Sequence, residues 1–245
     1  MVRVQFLGSG DAFGSGGRFQ ACIHVRAPSA SVLLDCGASS VIAMKRFGVE
    51  PNDIDAILIS HVHGDHFGGI PFFILDAQFL SRRERPLLIA GPPSIEARVR
   101  AAQEALFANS SKTEQKFEIR FAEWQDRVPA EIAGVTVTPF EVVHGSGAPP
   151  FALRLAVDGR TVAYSGDTEW TPALVEVSRD ADIFICEANF YEKAMKFHLD
   201  YRTLMSHRDE MSCKRLILTH MNSEMIERAP TLEVECAEDG LVVEL

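Results

Sequence analysis

Within His61-Val62-His63-Gly64-Asp65-His66 the chain gathers three imidazoles and a carboxylate, four metal-ligating groups in six residues. His61 and His63 are two apart, so in an extended segment they point to the same side. Asp65 and His66 follow Gly64, where a tight turn aims them at a second point about 3.5–4 Å from the first, the spacing of two-metal sites. Nitrogen and oxygen donors without thiolate suit zinc, with manganese or iron as the alternatives. The chemistry of such a cluster is metal-assisted hydrolysis. The competing reading is a polar, histidine-rich turn that holds no ion.

Three further candidates stand at the carboxyl ends of apolar runs. His144 follows residues 136–143, Asp167 follows 161–166 and His220 follows 216–219. A polar side chain at the end of a buried strand is costly without a partner. One alone would read as a satisfied core residue; three together with the cluster point to ligation.

The elements that must position these groups are legible from patterning. Residues 2–7, 21–25 and 31–35 have strand character, and a short helix covers 41–45. Residues 56–60 form a continuous apolar run of strand length, which predicts a buried central strand ending at the histidine cluster. A helix is expected from about 69 to 80, a strand over 87–90, and a helix that opens at Gly91-Pro92-Pro93 and runs to about 107. After a polar loop over 109–116, strands return at 117–122, 135–143, 152–157 and 161–165. Asp158-Gly159 marks a two-residue hairpin turn between the last two. Helices over 171–179 and 202–213 alternate with strands over 182–186 and 215–219, and Glu238-Asp239-Gly240 punctuates a hairpin-like tail. Two clusters of strands with intervening helices predict two packed sheets with helices outside, an α/β (α+β) fold forming one domain over 1–245. Both halves would contribute ligands.

Composition narrows the function classes. A net charge of −10 argues against a protein whose main task is tracking a nucleic-acid backbone. Cys22, Cys36, Cys186, Cys213 and Cys236 form no C-x-x-C pair and are odd in number, which reads as free thiols in a reducing compartment. The amino-terminal residues lack a long apolar signal core, and no run approaches the roughly 18 apolar residues of a membrane span. A cytoplasmic location with no membrane partner is the expectation.

The ordered set His61-x-His63-x-Asp65-His66, His144, Asp167 and His220, with Asp35 in Leu33-Leu34-Asp35-Cys36-Gly37, resembles the signature of metallo-β-lactamase-fold hydrolases along essentially the whole chain. The resemblance implies a four-layer αββα sandwich with two divalent cations, zinc foremost, between the sheets. It assigns His61, His63 and His144 to one cation, Asp65, His66 and His220 to the other, and Asp167 as the bridge. Asp35 reads either as a ligand or as a buried acceptor that holds a loop beneath the site, and the second is preferred.

Within that superfamily, residues 161–168, Pro150-Phe151 and 216–220 are similar to ribonuclease Z, the tRNA 3′-end endonuclease, and to the cyclic phosphodiesterase branch beside it. Glu187 and His198 fall where such enzymes carry a glutamate-oriented histidine next to the metals. With Asp65 they are the expected catalytic residues; the bland reading of His198 is a cap on the helix near Tyr201. The chain departs from ribonuclease Z between Leu155 and Thr161, where only five residues stand in place of a long tRNA-gripping arm, and at Leu199-Asp200, where the family has Ser-Thr. A small nucleotide or RNA-like phosphodiester is therefore the expected substrate. Alternatives are an ester, thioester or lactone on the same centre, a tRNA endonuclease without the usual arm, and a non-catalytic nucleotide-binding module. Nucleic acid and a second copy of the chain stay open as partners.

The glycine-rich stretch Gly8-Ser9-Gly10-Asp11 with Gly14, Gly16 and Gly17 reads equally as a substrate loop or as a hairpin connection needing positive φ. Arg82, Arg83 and Arg85 read as a solvated helix end before a phosphate-binding rim. His24 and His207 fit no ligand spacing and read as structural.

Overall fold

The apolar runs pair into two sheets of seven strands each in the computed structural model, which describes residues 1–245. The first sheet contains β1 (Arg3–Gly8), β2 (Cys22–Arg26), β3 (Ser31–Leu34), β4 (Ala56–Leu58), β5 (Leu87–Gly91) and β6 (Ile119–Glu123), in that order, with β14 (Val242–Glu244) outside β1. The second contains β7 (Ala130–Ile132), β8 (Val135–Glu141), β9 (Phe151–Val157), β10 (Arg160–Tyr164), β11 (Ile183–Glu187), β12 (Leu216–Thr219) and β13 (Glu235–Cys236), again side by side in chain order.

In both sheets the chain first meanders and then turns parallel. β3 to β6 are parallel, and so are β10 to β13. Parallel neighbours need crossovers, and helices supply most of them. α1 (Ser40–Arg46), α2 (Gly64–Phe67), α3 (Ile70–Phe79) and α4 (Ile95–Leu106) serve the first sheet; α5 (Ala173–Ser178), α6 (Tyr201–Ser206) and α7 (Ser223–Arg228) serve the second.

Three apolar layers hold these elements together. Phe6, Leu58, Leu155, Tyr164 and Ile185 lie between the sheets; Leu33, Ile57, Phe73 and Val99 lie under the first set of helices; Leu174, Phe184, Leu204 and Leu218 lie under the second. This is the expected αββα sandwich. No helix is long and apolar enough to cross a membrane. All five cysteines are free thiols, and only Cys236 is not fully buried.

The differences from expectation have local causes. The 56–60 run leaves the ladder after Leu58: Ile59 still donates to Ala90, but the Ser60 amide turns to the Asp35 carboxylate. The helix expected over 202–213 stops at Ser206, where His207 stacks on Trp170 at 3.8 Å and its Nδ1 meets Glu210. The tail is not a hairpin. Glu235–Cys236 pairs with β12, whereas Val242–Glu244 pairs with β1, so Glu238-Asp239-Gly240 carries the chain from one sheet to the other. Arg83 is neither a solvated helix end nor a rim. It is 1% exposed and donates to the carbonyls of Pro51, Ile54, Arg85 and Pro86, stapling the α3–β5 connection. The Asp158-Gly159 turn is as expected, with positive φ at both residues.

His24 is structural, buried on β2 with Nε2 2.9 Å from Ser31 Oγ. Burial, with Arg26 and Arg3 nearby, lowers its pKa from 6.5 to about 4. Because the folded value is depressed, the unfolded chain binds the extra proton. Stability is therefore intact above about pH 6.5 and falls as the pH drops towards 4, by on the order of 3 kcal/mol from this group. His24→Gln keeps a partner for Ser31 without titrating. Chemical denaturation at pH 7 and pH 4.5 should show a smaller acid loss in the variant than in the parent; an equal loss would clear His24 of the effect.

Candidate metal centre

β1, β3 and β4 run in one direction, and the carboxyl ends of β3, β4, β10, β11 and β12 converge on one edge of the sandwich. His61, His63, Asp65 and His66 follow β4, with α2 completing the turn that Gly64 opens. His144 follows β8, Asp167 follows β10 and His220 follows β12. Their ligating atoms form two groups, His61–His63–His144 and Asp65–His66–Asp167–His220, each with all atoms within 4.8 Å of one another. Every side chain that sequence spacing nominated as a ligand is thus brought together. His63 is half-buried and the other six are buried.

Asp167 stands between the two groups. Its Oδ2 is 3.8 Å from His61 Nε2, 4.0 Å from His144 Nε2 and 3.5 Å from His220 Nε2, while Oδ1 is 3.3 Å from His66 Nε2. Asp65 Oδ2 lies 3.3 Å from both His66 Nε2 and His220 Nε2. Burial, reinforced by neighbouring imidazoles, holds His61 well below the usual histidine range, so its ring is neutral and its lone pair available. His61 Nε2 and Asp167 Oδ1 are buried without a hydrogen-bond partner. Unpartnered buried acceptors are costly, and a donor set of imidazoles and carboxylates aimed at common points suits divalent cations.

Asp35 is not among the groups that could hold an ion. Fully buried, with φ of +58°, it accepts from the Ser60 amide at 2.7 Å, Ser60 Oγ at 2.8 Å, His66 Nδ1 at 2.7 Å and Tyr164 Oη at 2.8 Å. The contact with His66 fixes the tautomer, leaving Nε2 to face the centre. His144 is oriented in the same way: its Nδ1 donates to the Phe197 carbonyl at 2.7 Å. Asn189 Nδ2 holds the His220 carbonyl at 2.9 Å, where the backbone has φ of +56°.

Glu187 and His198 sit beside the cluster. Glu187 ends β11 fully buried; its Oε1 accepts from the Thr168 amide and its Oε2 is 3.1 Å from His198 Nδ1. Burial alone would lower the imidazole's pKa, but the hydrogen bond and charge of Glu187 raise it above the usual value. His198 does not cap the following helix; Asp200 does, accepting from the Thr203 amide at 2.9 Å. The His198 side chain is 25% exposed, unlike the deeply buried imidazoles around it, so a substrate can reach it.

Four orienting residues escaped the sequence reading. Ser60 and Tyr164 engage Asp35, and Glu169 Oε1 accepts from the Phe197 amide at 2.8 Å. Phe197 itself has φ of +74°, an uncommon conformation for a non-glycine residue, and Glu169 holds its carbonyl on His144. Tyr164 left a faint signal as the one tyrosine inside the 161–166 run; a carbonyl contact such as that of Phe197 leaves none.

The family described as Anti-Pycsar protein Apyc1 matches residues 2–238. Ribonuclease Z of Methanosarcina mazei is 29% identical over 91% of this chain and 88% of its own. The structure of the metallo-β-lactamase-fold protein YhfI from Bacillus subtilis superposes with a TM-score of 0.78 at 21% identity, covering 100% of both chains. A diphosphatase from the PhnP family gives a TM-score of 0.78 at 20% identity over 100% of this chain and 98% of that one. The sandwich is therefore the metallo-β-lactamase fold.

Asp35→Asn replaces an acceptor by an amide facing several donors. Metal affinity should fall about 10- to 100-fold, as for other lost orienting contacts, measurable by chelator competition. An unchanged affinity would mean that Asp35 only supports the loop.

Proposed function

The chain belongs to the family of the Anti-Pycsar protein Apyc1, and from that premise we propose that this metallo-β-lactamase-fold hydrolase is a dinuclear, metal-dependent phosphodiesterase. Its substrate is a small nucleotide or RNA-like phosphodiester. The observation that carries the reading is the Glu187–His198 pair, 3.1 Å apart beside the ligand cluster. A phosphodiester is anionic in its ground state and gains from a cationic donor beside its oxygens, which a neutral ester or lactone does not offer to the same degree.

In this reading His61, His63 and His144 would hold one cation and Asp65, His66 and His220 the other, with Asp167 within reach of both groups. Zinc is the first candidate, since its common ligands are those present. When bound, divalent cations lower the pKa of a water from about 15.7 towards about 7 and neutralise charge growing on the phosphoryl oxygens.

The chain's own groups do the rest. Asp65 accepts a hydrogen bond from the attacking water and aims its lone pair at phosphorus. His198, tied through Nδ1 to Glu187, presents Nε2–H to the ester oxygen and protonates it as the P–O bond breaks. Such a transfer contributes about 10²–10⁴-fold. Glu187 keeps the ring cationic and correctly turned, although burial and Asp167 raise its own pKa.

Two observations favour a small substrate over whole tRNA. β9 and β10 are joined by the two-residue Asp158-Gly159 turn, and the chain carries a net charge of −10. The ribonuclease Z relative keeps RNA as the second reading.

The reading is tested by assaying metal-loaded protein against cyclic nucleotides, a precursor tRNA and an acyl-lactone in parallel. Turnover of the cyclic nucleotides is expected; lactone turnover alone would overturn the assignment. His198→Ala should retain its metals yet lose about 10²–10⁴-fold in kcat on a nucleotide diester with a poor leaving group. The loss on bis(p-nitrophenyl) phosphate should be smaller, because that leaving group needs little proton help. Full activity of the variant on both substrates would remove His198 from the mechanism.

A further inference from the structure

The connection from β1 to β2 leaves the sheet at the same edge as the candidate ligands, because β1 runs in the direction of β3 and β4. It is anchored to the site at its root. Ser9 accepts from the His220 amide at 3.1 Å, and Gly10 bridges both Met221 and Gln20. Asp239 clamps both ends, accepting from Ser9 N and Oγ and from the Phe19 amide at 2.7 Å.

Inside the loop, Asp11 is buried. Its carboxylate accepts from the amides of Phe13 at 3.1 Å and Ser15 at 2.9 Å and from Ser15 Oγ at 2.7 Å. Gly14 takes a left-handed conformation, φ +67°, to close the turn. Gln20 then ties the turn towards the cluster: its Nε2 reaches the Ala12 carbonyl at 3.5 Å and its Oε1 accepts from Ala38. Its Cβ faces Gly37, whose missing side chain makes room for the Asp65 carbonyl.

On this pinned turn Phe13 is 92% exposed, more than any other large apolar residue of the chain. A scattered exposed apolar side chain on a loose loop would call for no explanation. Here the amides of Phe13, Gly14 and Ser15 are all bonded to Asp11 and the loop is rooted at a candidate ligand, so the ring is presented rather than merely left outside.

Resting on the nucleotide reading above, we propose that Phe13 is the stacking subsite for the substrate's heterocyclic base. A phenyl ring has few torsions to freeze, every base offers a π-face, and such stacking tolerates any base. The loop would thus set a preference for nucleotides over base-free diesters without selecting one base.

The experiment compares kcat/KM for a 3′,5′-cyclic nucleotide with that for the corresponding 1-O-methylribose cyclic phosphate, which has no base. The nucleotide-to-base-free ratio should fall about 5- to 100-fold in Phe13→Ala, the range expected for losing one stacked base. Phe13→Trp should restore the ratio, and Phe13→Leu, which keeps apolar bulk without a flat face, should not. An unchanged ratio, an equal loss on both substrates, or recovery with Leu would overturn the subsite while leaving the phosphodiesterase reading intact. Light scattering guards a further outcome: a drop in oligomeric mass with Phe13→Ala would assign the ring to a contact between copies and overturn the proposal. Absence of any nucleotide turnover in the parent enzyme would sink the underlying reading, and the subsite with it.

Discussion

One buried carboxylate ties this molecule together. Asp35 ends β3 in the first sheet, takes two hydrogen bonds from Ser60 at the end of β4, and takes a third from Tyr164 of the second sheet. Its fourth goes to His66 in the cluster itself. A fully buried charge is tolerated only when its oxygens are satisfied, so these four donors come to one point or the ends of both sheets lose their registration. Two of the ligand-bearing segments, those after β4 and β10, are thereby referenced to a single atom group.

From that anchor the site follows as a consequence of parallel strands. Each parallel run delivers its carboxyl ends to the same edge, and the crossover helices lie on the outer faces, out of the way. Residues from Asp35 to His220 meet at a spot that no single segment could build. The edge also collects three left-handed residues, Asp35, Phe197 and His220. Such backbone persists where surrounding bonds over-determine it. Here those bonds are identifiable: Glu169 on Phe197, Asn189 on His220 and the Leu58 carbonyl on the Asp35 amide.

The difference among the imidazoles is one of environment. Those of the cluster other than half-buried His63 are sealed in, with the far nitrogen held by a carboxylate or carbonyl in the cases of His66 and His144. His198 has its own carboxylate in Glu187 but a partly open face. In the proposed reading the same residue type would hold an ion in one place and meet a substrate in another, with different exposure in the two places. The pinned, aromatic-tipped loop after β1 leaves its sheet at the same edge.

How much of this was legible beforehand divides along a physical line. The ligand types, their order and the strands that end on them were readable, because ligation demands particular side chains and a two-residue alternation or an apolar run is a local property. His61, His63, Asp65 and His66 advertise themselves within one turn of chain. The preference for Asp35 as a supporting acceptor agrees with the four hydrogen bonds it takes in the structure. What the chain alone could not state is which ordinary groups support those ligands. Ser60, Tyr164, Glu169 and the Phe197 carbonyl are common hydrogen-bonders whose meaning arises only from where they end up. Nor did composition reveal that Arg83 is buried among carbonyls, or that residues 238–240 step between sheets, because both depend on pairings between residues distant in sequence. Ligand chemistry is written in residue type and short spacing; orientation, shelter and the distinction between holding and reacting are decided by packing.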